Sequence, residues 1–205
     1  MNQLLNIHPE NPQGRLLQIA VDKLRTGGVV AYPTDTSYAL ACHIGDKRAL
    51  DRIIGIRRLD KRHHFTLACA DLSMLGVFAR VDNAQYRLLK RVTPGPYTFI
   101  LRASREVPKR LIHERQRTIG IRVPDHRIAQ ALLRLMGEPL MTTTLQLPDD
   151  AAALIAGDEI AARIGKQVDV VLDGGYCDPQ GSTVVDLSGD TPQVLRQGKA
   201  SADFF

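Results

Sequence analysis

The sequence lacks the features that mark secreted, membrane-spanning and zinc-binding proteins. Its three cysteines, Cys42, Cys69 and Cys177, are widely spaced and form no CxxC pair, which argues against a disulfide framework or a zinc site. The N-terminus has neither the charged lead nor the apolar block of a signal peptide. The longest unbroken apolar run, residues 151–156, is far too short to span a bilayer. We therefore expect a cytoplasmic protein with reduced thiols and no membrane partner.

Common nucleotide-binding and hydrolytic motifs are missing as well. There is no GxxxxGK loop followed by Ser or Thr, no GxGxxG after a predicted strand, no GxSxG and no HExxH. The adjacent pair His63 and His64 cannot lie on one face of a helix. Beside Lys61 and Arg62, this pair is typical of a basic surface rather than of metal ligands. The sequence therefore assigns no metal ligand and no catalytic residue.

Positive charge is concentrated in the first 145 residues. The 205-residue chain has 27 Lys and Arg against 22 Asp and Glu, but residues 146–205 hold only four basic and ten acidic side chains. Residues 47–64 and residues 102–122 each contain seven basic and two acidic groups. Two such clusters favour phosphate-bearing partners, either nucleotide or nucleic acid. For either cluster alone, a solvated face with long Arg stems over the core is the favoured interpretation.

Apolar periodicity and capping residues predict alternating helices and strands. The spacing predicts helices over 12–26 and 158–167, and four more that begin near Asp46, Asp71, Asp82 and Asp125, the last ending at Met136; Asn11 is the predicted cap of the first. Predicted strands are Val29–Tyr32, Tyr38–Cys42, Phe65–Cys69, Tyr97–Leu101, Thr118–Val123, Leu140–Leu145, Asp169–Leu172, Thr183–Leu187 and Gln193–Arg196. This order predicts a single-domain α/β fold over 1–205, a twisted, open, mixed sheet with helices on its faces. Residues 147–157 are interpreted as a surface insertion.

Hydroxyl and guanidinium groups recur at the ends of the predicted strands. The segment 32–36 (YPTDT) follows the first strand, Arg122 ends another, residues 142–144 are all Thr, Ser182 opens a further strand and Arg196 closes the last. Such groups converging from strand ends suit a phosphate, a carboxylate or both. From the residues alone, the prediction is an anion-binding α/β protein.

At these positions the sequence resembles the YrdC/YciO family, and most closely its YciO branch. The matching stretches are GGVVAYPTDTSYALAC (27–42), IGIRRL and HHFTLAC (within 54–69), TPGPYTFIL (93–101), TIGIRVPDH (118–126), EPLMTTTLQLP (138–148), GSTVVDL (181–187) and VLRQG (194–198). They occur in the family's order and cover nearly the whole chain. The resemblance implies a YrdC-like twisted open sheet with a large, basic, concave cavity.

The resemblance also implies a function. The YrdC branch makes threonylcarbamoyl-AMP from L-threonine, bicarbonate and ATP with Mg²⁺, for the modification of tRNA. Its Lys-x-Arg phosphate pair falls on Arg57 and Leu59 here, a further lysine falls on His63, and its Ser-x-Asn pair falls on Thr144 and Gln146. Leu59 removes a cation, and loss of one charge-assisted hydrogen bond costs about 1.5–3 kcal/mol. At the transition state that is roughly one to two decades of rate, which argues against full synthase activity while leaving a pocket able to hold a nucleotide.

Two sets of candidate site residues follow from these motifs. The predicted ligand-binding set for nucleotide and threonine is Tyr32, Thr34, Arg57, His63, Arg122, Thr142, Thr144, Gln146, Ser182, Thr183 and Arg196. The predicted RNA-binding set is Arg58, Lys61, Arg62, Arg105, Lys109 and Arg110.

Three functions remain open from the sequence. The first is an RNA-associated protein that binds a nucleotide or a threonylcarbamoyl-AMP-like ligand in its basic cavity, linked to tRNA threonylcarbamoyl modification or translation. The second is a weak or diverged synthase, or a hydrolase of the same adenylate. The third is a double-stranded RNA-binding protein without catalysis. The expected partners are RNA (tRNA, double-stranded RNA or the ribosome), ATP or an acyl-adenylate, and L-threonine. ATP with Mg²⁺ is required only by the synthase.

Overall fold

Strands and helices alternate along the chain, as the periodicity predicts. The structure, a computed structural model, describes residues 3–60 and 63–205, so the predicted RNA-binding residues Lys61 and Arg62 lie outside the described residues. The helices are α1 (Gly14–Arg25), α2 (Lys47–Arg57), α3 (Leu72–Phe78), α4 (Asn83–Val92), α5 (Arg127–Met136) and α6 (Gly157–Ile164), with short 3-10 turns at Lys109–Leu111 and Gly165–Gln167. None of the helices in these described ranges is long and apolar enough to cross a membrane.

The strands form one mixed, open sheet. They are β1 (Gln3–Asn6), β2 (Val30–Tyr32), β3 (Ala39–His43), β4 (Thr66–Ala68), β5 (Ala79–Arg80), β6 (Tyr97–Ala103), β7 (Thr118–Arg122), β8 (Leu140–Thr144), β9 (Val170–Asp173), β10 (Thr183–Asp186) and β11 (Gln193–Arg196). Their order across the sheet is β1-β9-β2-β3-β8-β4-β7-β6-β10-β11, and β5 pairs with β6. Parallel pairs such as β4 with β7 and antiparallel pairs such as β3 with β8 occur in the same sheet. The predicted single-domain α/β fold is confirmed; β1 and β5 were not predicted.

Three of the five predicted helix caps are confirmed. Asp46, Asp71 and Asp82 each accept a hydrogen bond from the backbone N–H three residues later, at 2.8 Å in every case. At α4 the Gln85 side chain returns the bond to the Asp82 backbone, which completes a capping box. These aspartates therefore fix the starts of α2, α3 and α4.

The caps predicted at Asn11 and Asp125 are wrong. Helix α1 is preceded by Gln13, whose side chain accepts from the His8 N–H at 3.0 Å, so a turn separates Asn11 from the helix. Helix α5 is preceded by His126, with no side-chain cap. Asp125 instead donates its backbone N–H to Asp35 at 2.9 Å. A contact distant in sequence thus shifts the start of α5.

The helices cover the two faces of the sheet unequally. On one face α2, α3, α4 and α6 pack a continuous core, with Ile53, Leu75, Leu89 and Ile160 against residues such as Phe99. On the other face α1 and α5 pack against β9, β2 and β3 and reach Ala68 at the end of β4. In the part of the chain that the structure describes, no helix covers the rest of this second face. That uncovered half is where the candidate site lies.

The segment 147–157 is a surface loop only in part. Residues 149–152 are at least partly exposed, but Leu154 is 5% exposed and belongs to the core. Its N–H donates to Leu145 at 2.8 Å, and its carbonyl accepts from the Tyr38 N–H at 3.1 Å. The loop is therefore folded back against the ends of β3 and β8, because Leu154 is apolar enough to be buried there.

Candidate functional site

A cavity of about 240 Å³ lies on the uncovered half of the sheet. Its floor comes from alternate residues of neighbouring strands: Ile100 lies opposite Gly120, Gly120 opposite Thr66, and Thr66 opposite Thr142. Because alternate residues of a strand point to the same face, these side chains share the face of Ala68, which packs under α1 and α5. As predicted, Arg122 and Arg196 end their strands and Ser182 directly precedes β10. Thr66, Thr98 and Thr142 extend the site over the face of the sheet.

A second row of the floor carries the guanidinium of Arg196. Thr98 lies opposite Val184, and Val184 opposite Arg196, across β6, β10 and β11. The Arg196 Nε and one terminal nitrogen donate to the Ser182 carbonyl at 3.2 and 2.9 Å. The Ser182 hydroxyl lies 2.8 Å from the Thr98 hydroxyl. These bonds hold the guanidinium against the cavity at the exposed edge of the sheet.

Arg122 is buried between the cavity and the loop 33–37. Its guanidinium donates to Asp35 at 2.5 Å, and the two side chains are only 9% and 7% exposed. The Arg122 Nε is buried and has no hydrogen-bond partner within the described residues. Burial, and then the positive charge of Arg122, lower the pKa of Arg196. The two guanidinium groups are therefore close enough to interact electrostatically, and both line the cavity.

Two imidazoles lie at the rim of this cavity, just before β4. His63 Nε2 is 3.4 Å from the Thr143 hydroxyl, and His64 stacks on His113 with the ring centres 4.3 Å apart. Burial, and then the charge of Arg57, lower the pKa of His63; burial, and then His113, lower the pKa of His64. Both rings are therefore neutral near pH 7, able to donate or accept one hydrogen bond each.

Six of the predicted ligand-binding residues line this cavity: His63, Arg122, Thr142, Thr144, Ser182 and Arg196. Three others lie behind its wall. The Tyr32 hydroxyl is 3.0 Å from the Thr142 hydroxyl and holds it from below. Thr34 donates to the Ser37 carbonyl at 2.7 Å, and Thr183 donates to the Ala200 carbonyl at 2.6 Å. These three side chains position the loops and the floor, and do not face the cavity.

The last two, Arg57 and Gln146, are not brought to the cavity wall. The Gln146 amide donates to the Asp150 carbonyl at 3.0 Å, so it is bonded within its own loop. Arg57 ends α2, with its Nε buried and no hydrogen-bond partner among the described residues. Partial burial lowers the pKa of Arg57. Its positive charge contributes to the lowered pKa of His63 at the cavity rim.

The predicted RNA-binding residues that the structure describes lie outside the cavity. Arg58 is exposed, with its guanidinium 3.9 Å from Asp149. Arg105, Lys109 and Arg110 are exposed in the segment between β6 and β7, and Arg110 donates to the Ile44 carbonyl at 3.0 Å. A groove of about 510 Å³ in this segment is lined by Lys109, Arg110, His113 and Arg115, and it shares His63 with the cavity.

Eight lining residues lie outside the predicted ligand-binding set: Ala39, His64, Thr66, Thr98, Ile100, Gly120, Thr143 and Val184. An added Cβ at Gly120 would be 2.7 Å from the Thr66 hydroxyl, so glycine keeps the floor open. The available signal was the single Thr in each of the strands FTLAC and YTFIL. Whether these threonines line a site depends on which half of the sheet the helices leave uncovered. The sequence of a single strand does not contain that information.

The lining of this cavity is cationic and hydroxylic. Among the described lining residues there is no carboxylate. Within residues 3–60 and 63–205, no group of three or more His, Cys, Asp or Glu side chains is placed to hold a metal ion. The Asp35 carboxylate is already bonded to Arg122 and to the Asp125 N–H. These residues therefore do not fit a protein-held Mg²⁺ site, and any Mg²⁺ would arrive on the phosphates of a substrate.

The fold and the site define an α/β protein with a carboxylate-free, arginine- and hydroxyl-lined cavity on the uncovered half of a mixed sheet. This chain belongs to the Sua5/YciO/YrdC family, whose model, described as telomere recombination, matches residues 22–198. It is 51% identical over 198 residues to "Uncharacterized protein YciO" of Escherichia coli K12, covering 97% of this chain and 96% of that one. It is 30% identical over 185 residues to "Threonylcarbamoyl-AMP synthase" of Vibrio vulnificus, covering 89% of this chain and 98% of that one.

Solved structures show the same fold. The crystal structure of E. coli YciO superposes with a TM-score of 0.97 at 50% identity, covering 100% of both chains. P. abyssi Sua5 complexed with L-threonine superposes with a TM-score of 0.88 at 27% identity, covering 96% of this chain and 58% of that one. The predicted family and its YciO branch are confirmed.

Proposed function

We propose that this protein binds an acyl-adenylate of the threonylcarbamoyl-AMP type in the cavity. The observation that carries the proposal is the convergence of the Arg196 guanidinium, the Arg122 guanidinium and the hydroxyls of Thr98 and Ser182 on one carboxylate-free surface. Guanidinium groups suit the carboxylate of an amino acid or a phosphate, and the hydroxyls can donate to or accept from either.

The volumes of the cavity and of the adjoining groove indicate which part of such a ligand each one holds. A cavity of about 240 Å³ lies below the roughly 300–1,000 Å³ typical of sites for larger ligands. The amino-acid part therefore occupies the floor near Arg196. The phosphate and nucleoside extend past His63 into the adjoining groove of about 510 Å³. The L-threonine complex of P. abyssi Sua5 supports this class of ligand, since that protein shares the fold.

Enzymatic turnover of the adenylate is the alternative form of this proposal. The relatives named threonylcarbamoyl-AMP synthase support it. The residues at the phosphate end weaken it: Leu59 carries no charge, and the Gln146 amide is bonded to Asp150. Two contacts of about 1.5–3 kcal/mol each are then unavailable to a triphosphate. Binding, or slow conversion, of the adenylate fits these residues better than rapid synthesis from ATP.

A chromatographic assay with purified protein tests both forms. One arm contains L-threonine, bicarbonate, ATP and Mg²⁺, and the other contains preformed threonylcarbamoyl-AMP. Loss of the adenylate above the uncatalysed rate would make the protein a hydrolase of that intermediate, and its appearance in the first arm would make it a synthase. Binding without turnover supports the principal proposal. The absence of both binding and turnover would refute it.

RNA association is a second candidate function. The observation that favours it is the exposed basic segment between β6 and β7, which contains Arg105, Lys109 and Arg110. Lys109 and Arg110 line the groove that adjoins the cavity. Neutralised phosphates release counterions, so the affinity for RNA should fall linearly with salt on a double-logarithmic plot. Reversal of these three charges should weaken RNA binding. Reversal of Arg105 alone, which lines neither the cavity nor the adjoining groove of about 510 Å³, should weaken RNA binding and leave adenylate binding unchanged. A salt-independent RNA affinity would refute this candidate.

A further inference from the structure

Two arginines face each other directly across the short pair β5 and β6. Arg80 lies opposite Arg102 in the antiparallel register. Directly opposed residues on an antiparallel pair share a face, with their Cβ atoms about 4.5–5.5 Å apart, and like charges there destabilise the pair. The Arg102 Nε donates to the Ser188 carbonyl at 2.9 Å, which holds one of the two guanidinium groups in place. The fold therefore brings two positive charges together at a cost.

A groove of about 800 Å³ runs beside this arginine pair. Five of its lining residues are cationic, and they come from three parts of the chain: Arg80, Arg102, Arg105, Lys109 and Arg117. No carboxylate is among the described residues that line it. None of the five makes an ion pair with another described residue. Arg80 and Arg102 also line an adjoining depression, which contains two carboxylates, on Asp82 and Asp190.

The backbone at Arg117 is strained in a way that keeps this side chain in the groove. Arg117 has φ of +58°, a left-handed conformation that favours glycine. Two hydrogen bonds fix it there, from its N–H to the His113 carbonyl at 2.9 Å and from the Ala103 N–H to its carbonyl at 3.0 Å. Glycine would relieve the strain but would remove the fifth cation. The presence of arginine at a position that favours glycine therefore indicates a role for its positive charge.

We infer that this groove is a second anion site, outside the cavity, for a ligand with adjacent phosphate groups. The charge repulsion between Arg80 and Arg102 is relieved when an oxyanion lies between their guanidinium groups, each of which can donate two parallel bonds. Arg105, Lys109 and Arg117 then meet the neighbouring phosphates, and Gln116 and Ser104 supply uncharged donors. The ligand is either a short polyphosphate or the phosphodiester backbone of RNA, which share this chemistry.

The site differs from the basic segment already proposed for RNA. It includes Arg105 and Lys109 of that segment but is centred on Arg80 and Arg102, which the sequence prediction left unassigned. It needs no ligand in the cavity. Its presence can therefore be tested whether or not the protein binds an adenylate.

The test compares Arg80→Gln with Arg15→Gln, each of which removes one exposed positive charge. Arg15 lies on α1, outside the groove. The probes are inorganic tripolyphosphate and a short single-stranded RNA, titrated at constant ionic strength. We expect Arg80→Gln to weaken at least one probe roughly tenfold, the equivalent of one lost charge-assisted bond, and Arg15→Gln to bind as the wild type does. The probe affected identifies the source of the phosphates.

Two further measurements complete the test. Arg105→Gln, a substitution elsewhere in the groove, should weaken the same probe as Arg80→Gln. Threonylcarbamoyl-AMP binding should be unchanged in both variants, so that a failure of the cavity proposal is seen separately. Equal affinities of Arg80→Gln, Arg15→Gln and wild type for both probes would overturn the inference. Equal losses of affinity in Arg80→Gln and Arg15→Gln would overturn it as well.

Discussion

Removal of the Arg122 side-chain charge should destabilise the fold more than any exposed ion pair can. In Arg122→Met, the Asp35 carboxylate keeps only the Asp125 N–H at 2.9 Å, while its side chain stays 7% exposed. Breaking a buried pair by removing one partner costs about 3–5 kcal/mol, because the remaining charge is left uncompensated. At about 2–4 °C per kcal/mol for a chain of this size, Tm should fall by roughly 6–20 °C.

The measurements are urea unfolding and thermal unfolding, both followed by circular dichroism, with two comparison variants. Arg127→Gln removes one partner of an exposed pair, in which Arg127 and Glu10 are 3.2 Å apart and 66% and 64% exposed. It should cost no more than about 1 kcal/mol. Asp35→Asn combined with Arg122→Met should recover most of the loss, since no buried charge remains. A loss in Arg122→Met no larger than that in Arg127→Gln would refute this account of the loop 33–37.

Three further predictions concern pH, thiol reactivity and the cavity floor. Burial lowers the pKa of His63 below its usual 6.5. The unfolded chain therefore binds more protons than the folded protein as pH falls through 6.5. The stability contributed by neutral His63 should be present above pH 6.5 and lost as pH falls below it, and His63→Gln should flatten the decline in a series of urea titrations. Burial raises the pKa values of Cys42 and Cys69 to about 12. Both thiols should therefore resist iodoacetamide at pH 8 in the native protein and react in urea, as read by mass spectrometry; rapid native alkylation would contradict their burial. Gly120→Ala places a Cβ 2.7 Å from the Thr66 hydroxyl, so it should cost about 1–3 kcal/mol in unfolding free energy and weaken ligand binding by calorimetry. Unchanged stability and affinity would show that the floor is not closely packed.

Local signals in the sequence predict most of the secondary structure. The helices α2, α3 and α4 begin where Asp46, Asp71 and Asp82 cap them, because the cap and its bonding partner are three residues apart. Asp125 has the same chemistry but a different role. Its N–H bonds to Asp35, ninety residues away, and the helix begins later. A cap competes with tertiary contacts that the local sequence does not contain.

The two missed strands were too short to carry a pattern. β1 has four residues and β5 has two, and each is held at the sheet by one neighbouring strand. The hydrogen bonds of β1 go to β9, more than 160 residues later in the chain. Such a strand forms because a neighbouring strand pairs with it. Two to four residues are too few for an apolar periodicity that would predict a strand.

The polar composition of the site was predictable, and the full extent of its floor was not. Arg122, Ser182 and Arg196 were identified from residue type and motif, and all three line the cavity. Arg122 and Arg196 also end their strands, as predicted. Here α1 and α5 leave half of one face uncovered, so the floor is the sheet itself and includes Thr66 and Thr98. Which half stays uncovered is decided by helix packing across the whole chain.

The most direct test of the cavity proposal is calorimetric titration of threonylcarbamoyl-AMP into wild type, Arg196→Gln and the control Arg15→Gln. The Arg196 guanidinium lines the cavity, whereas Arg15 lies on the exposed surface of α1. We expect the wild type and Arg15→Gln to bind equally and Arg196→Gln to bind roughly tenfold more weakly or worse, with unfolding curves showing all three folded. Equal binding by all three proteins, or no binding by the wild type, would contradict the assignment of this cavity as the adenylate site.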